Sequence, residues 1–234
     1  VVNPNIVSRS VTYTQIDLNT EDTTPITNHM VVTIRDDDHS GATVVAKKGG
    51  ITKNLITVAD NRFERVYSTS VVYDADQFSL GDTIENWTIE VTDSAGNKST
   101  SSFPQITISK EDGTSPIISA VQLKMASTNL EMVSLPLNIA STTPVVLNAI
   151  VTVNDAHSSI SSVVANVGGG VPVTKGATTG SGPFTIPLTF NPSAVGLHAN
   201  NQNFIMSITV VATDSAGNSS NYVKSLPVVL NDYS

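Results

Sequence analysis

Carboxylates set in short polar turns are the residues of this sequence whose types and spacing can do chemistry. The run DDDHSG at residues 36–41 puts Asp36, Asp38 and Ser40 at positions 1, 3 and 5 of an EF-hand-like loop, with Gly41 at position 6. Position 12 of that loop needs a bidentate glutamate, and Lys47 stands there, so the EF-hand geometry fails. A second acidic motif, TDSAGN, occurs twice without change, at residues 92–97 and 213–218, and supplies Asp93 and Asp214. A third, NDAHSS from Asn154, supplies Asp155. Hard oxygen ligands of this kind suit a divalent cation, calcium before others.

Other chemistry finds little support. His29, His39, His157 and His198 belong to no zinc motif, and the chain has no cysteine for a thiolate site, a disulfide or a nucleophile. Nucleophile-elbow, P-loop and dinucleotide-binding motifs are missing too, and the GGG at residues 168–170 reads as a turn between short strands. Acidic pairs such as Asp74/Asp76 and Glu111/Asp112 are ordinary on an acidic surface. Trp87, the single tryptophan, alternates into a core position, and the few tyrosines are scattered, so no aromatic platform for a sugar emerges. The chain is expected not to be an enzyme. A net charge of −8 repels phosphate backbones and anionic lipid, which argues against nucleic acid or membrane-surface partners. No run of 18 apolar residues suggests a membrane helix. The start VVNPN, without Met, is expected to mark a mature product or a segment of a longer one.

The elements that must position these carboxylates are strands. Composition is poor in helix formers, with 39% hydrophobic, 5% aromatic and 14% charged residues. Trp87, Ile89 and Val91 alternate with Thr88 and Glu90; Ile208 and Val210 alternate with Thr209 and Val211. β-Branched runs recur at residues 30–34, 43–46, 66–73, 106–108, 145–153 and 162–167, with turn signals every 8–15 residues between them. The pattern is also repeated. A proline followed by an apolar strand opens each half (NPNIVSRSVTY, TSPIISAVQL). A Thr-Thr-Pro strand follows (TTPITNHMVVTIRDD, TTPVVLNAIVTVND), then an acidic His/Ser turn, then TDSAGN, at offsets of 119 to 121 residues. The boundary falls in SKEDGTSP, residues 109–116, giving domains 1–112 and 113–234. TDSAGN itself reads as hairpin punctuation between the last two strands of each domain: Asp first, two permissive residues, then Gly where φ must be positive.

An apolar strand ending in TDSAGN, preceded by a Leu-Gly corner (Leu80–Gly81; Gly196–Leu197), resembles the bacterial immunoglobulin-like repeats, and both halves of the chain share the likeness. The resemblance implies an all-β fold of two tandem immunoglobulin-like β-sandwiches with about seven strands each. It also implies prokaryotic cell-surface proteins of surface-layer or adhesin type, hence an extracellular location. In such a sandwich the turn after the second strand and the last hairpin share a pole with the incoming chain. That would bring Asp36 and Asp38 near Asp93 and Asn97, and would gather Asp155, Asp214 and Asn218 near Glu111 and Asp112. Calcium held there would fix the joint between repeats. Three sequons, at Asn86, Asn97 and Asn218, are candidate glycosylation sites.

The sequence therefore points to a non-catalytic extracellular structural segment, a repeat unit of a self-assembling surface layer or filament. Its partners would be copies of itself or neighbouring repeats, met laterally and end to end. The alternatives are an adhesin stalk and an accessory carbohydrate-binding module of a secreted enzyme.

Overall fold

Alternation of apolar and polar residues becomes strand throughout. In a computed structural model, residues 3–35, 42–61, 64–175 and 182–232 are described. Contacts divide the chain into two units, Val1–Asp112 and Gly113–Ser234.

The first unit contains β1 (Asn5–Val11), β2 (Gln15–Asn19), β3 (Ile26–Arg35), β4 (Ala42–Lys48), β5 (Ile51–Asn54), β6 (Ile56–Asp60), β7 (Arg65–Tyr73), β8 (Gly81–Glu85), β9 (Thr88–Asp93), β10 (Lys98–Ser102) and β11 (Ile106–Glu111). One sheet has the order β1-β3-β7-β6. The facing layer comes in two pieces, β10-β9-β4-β5 and β2-β11-β8. It is split because the sixth strand line breaks at residues 86–87 and the seventh at residues 103–105; the amide of Phe103 donates to the carbonyl of Trp87 at 2.9 Å across the break. The first strand crosses from one layer to the other between β1 and β2. Buried Asn28 pins that crossing, donating to the carbonyl of Tyr13 at 2.8 Å and accepting from its amide at 3.0 Å.

The second unit contains β12 (Ile117–Met125), β13 (Leu135–Asn138), β14 (Val145–Asn154), β15 (Ile160–Val167), β16 (Val173–Lys175), β17 (Phe184–Phe190), β18 (Phe204–Asp214) and β19 (Ser219–Asn231). Its sheets have the orders β12-β14-β17-β16 and β13-β19-β18-β15. Counting β12 and β13 as the two halves of one first strand, the first, second, fifth and fourth strands form one layer. The seventh, sixth and third form the other with β13. That is the immunoglobulin arrangement. The first unit has the same order once its breaks are closed, with β5 added beside the third strand. The chain is thus a tandem of two immunoglobulin-like β-sandwiches.

Each sandwich has its own core, formed where inward positions of its two layers meet. In the first, Met30, Val32, Trp87, Ile89 and Ile108 pack together; in the second, Leu123, Leu147, Ile186, Phe190, Ile208 and Val210 do. The Leu-Gly corner takes different forms in the two units. Gly81 opens β8 with φ +96°, whereas Gly196 lies inside a short helix, α1 (Pro192–His198), packed against the side chain of Ile139.

Candidate metal centre

The two TDSAGN turns close with the same bonds. Asp93 and Asp214 end β9 and β18 and are 6% and 1% exposed. In the first turn, the amide of Asn97 donates to Asp93 Oδ1 at 2.7 Å and its side-chain amide donates to Oδ2 at 2.7 Å. In the second, the amide of Asn218 donates to Asp214 Oδ1 at 2.8 Å and its Nδ2 to Oδ2 at 3.0 Å. Gly96 and Gly217 have φ of +85° and +96°, which lets the chain reverse without a Cβ in the way. Burial opposes the charge on Asp214, but the donors of Asn218, Gly217 and Ala216 outweigh it and hold the carboxyl below its ordinary value.

In the second unit the register brings another carboxylate to the same turn. The third strand line starts at the level where the sixth ends: Ile160 pairs with Asp214, and the amide of Ser215 donates to the carbonyl of Ser159 at 2.8 Å. Asp155 precedes that strand and caps its own turn, Oδ1 accepting from the amides of His157 and Ser158 at 2.8 and 2.7 Å. Its Oδ2 is buried and, among the described residues, has no hydrogen-bond partner. A carboxylate oxygen of Asp155 and one of Asp214 lie within 4.8 Å of each other. Two oxygens on one calcium ion at 2.3–2.6 Å can be at most about 5.2 Å apart, so the pair fits a shared ion.

Asp112, the last residue of the first unit, is buried and accepts from the hydroxyl of Thr20 at 3.2 Å. Asp36, Asp38 and His39 lie outside the described residues. Glu111 and His157 are exposed. Of the sequons, Asn97 and Asn218 have their amide nitrogens on the carboxylates just described, while Asn86 is exposed, its Oδ1 accepting from Gln105 at 3.2 Å.

One buried polar site was missed by sequence reasoning. Glu85, 5% exposed, accepts at Oε2 from the Tyr73 hydroxyl at 3.0 Å and from Trp87 Nε1 at 2.9 Å, and pairs at Oε1 with Lys48. Lys48 Nζ also stands 5.3 Å from the centroid of the Trp87 ring. Burial, with the neighbouring Glu85 charge, pushes the Tyr73 phenol well above its ordinary value. The signal was available: in a strand line, Glu85 shares the inward parity of Trp87, and an inward carboxylate demands donors.

No family model and no curated protein matches the sequence. Among solved structures, the chain is similar to the fibronectin(III)-like modules of Clostridium thermocellum CbhA, at 12% identity and a TM-score of 0.31, covering 98% of this chain and 94% of that one. It is also similar to the EC3-6 cis-dimer structure of protocadherin gammaB7, at 12% identity and a TM-score of 0.40, covering 97% and 48%. Domains 1–4 of protocadherin gamma B7 match at 12% and 0.38, covering 96% and 49%. The chain spans about half the length of these protocadherin chains. Likenesses of this strength assign no function. Among the described residues, no helix is long and apolar enough to cross a membrane.

Proposed function

We propose that this chain is a non-catalytic structural segment of an extracellular prokaryotic surface coat or filament, built to be repeated and to assemble with copies of itself. The observation that carries the reading is the duplication itself. One sandwich topology, closed by one hairpin down to the same carboxylate–amide bonds, is made twice in succession, each copy with its own core. An adhesin stalk uses the same construction and differs only in not forming sheets.

Calcium belongs to this proposal. Asp155 and Asp214 are its central ligands, supported by their spacing and by the buried Oδ2 of Asp155. Asp112 is proposed as a third from its place in the acidic stretch SKEDGTSP that precedes the second repeat. Asp93, with Asp36 and Asp38, is proposed for the matching turn of the first unit. Bound calcium would supply charge neutralisation between these carboxylates.

Negative-stain electron microscopy of native protein, first with calcium and then with chelator, tests the reading. Ordered sheets or filaments that dissolve on chelation are expected. Dispersed single particles in both conditions would move the chain to the stalk class. Among the sequons, Asn86 is proposed as the glycan acceptor because its side chain is exposed. An intact mass above that of the bare chain, with the excess mapped to residue 86, is the expected result, and an unmodified mass from native material removes it.

A further inference from the structure

Every sheet edge is a row of backbone donors and acceptors open to another strand, and soluble proteins blunt such edges with charges, prolines or very short strands. The described sheets follow that rule with one exception. In the first unit the edge strands β1, β2, β5, β6, β8 and β10 carry Arg9, Asp17, Lys53, Asp60, Asp82 and Lys98. In the second, β12 carries Lys124, β16 is only three residues long, and the four-residue β13 carries Pro136. β15 is the exception: eight residues, ISSVVANV, with no charge and no proline. A bulge between Ile160 and Ser162 affects only its first end.

The same strand is treated differently in the sister unit. There β4 pairs with β9 on one side and with β5 on the other, so its outer edge is covered from within the chain. In the second unit β15 pairs with β18 and, among the described residues, no strand pairs with its outer edge. The outward face beside it is also free of charge. Ser162, Val164 and Asn166 on β15 stand opposite Thr213, Val211 and Thr209 on β18, and Thr209 stands opposite Val223 on β19.

We propose that this edge is a homotypic docking strand, covered by β15 of a second copy running antiparallel about a two-fold axis near Val164. The inference rests on the self-assembly reading and names its lateral contact. Charge selects the partner. Two chains of net charge −8 repel at most surfaces, but two copies of this strand bring together only uncharged side chains. A strand rich in carboxylates or ammonium groups would lose solvation there with nothing to pair against. The arrangement is isologous, so it closes at two copies and joins the two charge-free faces into one continuous sheet. Val164 is central and 47% exposed, which places it against itself across the axis.

Sedimentation of the full chain over a concentration series tests this, with two variants. The parent should move from the 24.6 kDa chain mass toward twice that mass. Val164→Lys, a solvent-facing change, should lose the dimer with its melting temperature unchanged, because two ammonium groups would then oppose each other. Since the chain has no cysteine, Val164→Cys should form a disulfide-linked dimer on mild oxidation, faster than Ile51→Cys, an exposed control on β5. A parent that stays monomeric overturns the proposal, as does a dimer surviving Val164→Lys or cross-linking no faster at 164 than at 51. Microscopy separates this failure from that of the functional reading. Unaltered sheets from Val164→Lys would sink the β15 contact and leave assembly standing, whereas a β15 dimer without sheets would do the reverse.

Discussion

Asp155 uses its two carboxylate oxygens differently. Oδ1 takes two backbone amides and so organises the turn; Oδ2 is buried and, among the described residues, takes none. Replacing Asp155 with Asn keeps an acceptor for the amides of His157 and Ser158 and removes the charge. Calcium at about a hundred times its dissociation constant should stabilise the parent by about 2.7 kcal/mol. For a unit of this size that is a rise in melting temperature of roughly 5 °C or more. Asp155→Asn should fold, melt normally in chelator and show little of that rise. An equal rise in parent and variant would remove Asp155 from the ligand set. The candidate pair was legible in the sequence because Asp155 and Asp214 sit in turns that an immunoglobulin-type sandwich brings to one pole. The uneven use of the two oxygens was not legible, since it depends on the path of residues 155–158.

Glu85 shows how strands are tied to one another by a side chain that pattern alone marks only by its parity. It stands at the end of β8 and is bonded to Tyr73 at the end of β7, to Lys48 at the end of β4, and to Trp87 just before β9. Removing it strands a buried hydroxyl and a buried indole N–H, each costing about 1–3 kcal/mol. Glu85→Ala should therefore destabilise the first unit by roughly 3 kcal/mol, and Glu85→Gln, which keeps an acceptor, by less. Urea unfolding followed by fluorescence measures this, because Trp87 is the single tryptophan and reports the first unit alone. Equal stability of parent and Glu85→Ala would show that the network contributes nothing net. Elements with strong alternation, β3, β9, β14 and β18, were readable as strands from sequence. β5 and β6 were not: they are edge pieces, their residues are nearly all exposed, and nothing alternates. α1 was also hidden, being a single short segment opened by Pro192 in a stretch of small residues.

At the scale of the molecule, repetition was the most legible feature, because four ordered markers report topology directly. Differences between the repeats were the least legible. Whether the third strand is covered, as in the first unit, or left as an edge, as in the second, depends on what a few residues after it do. One further consequence follows from the first strand's crossing between layers. It leaves β2 parallel to β11, with Gln15 beside Thr107 and Asn19 beside Glu111, and β13 parallel to β19, with Leu135 beside Val228 and Asn138 beside Asn231. These are strands near the entrance and exit of each unit. Tension applied along the backbone pulls such a pair lengthwise past each other, so the ladder bonds share the load and rupture together. A hairpin pulled at its open end parts one bond at a time. Each repeat is thus expected to act as a shear clamp, giving one abrupt rupture per unit in a single-molecule pulling trace.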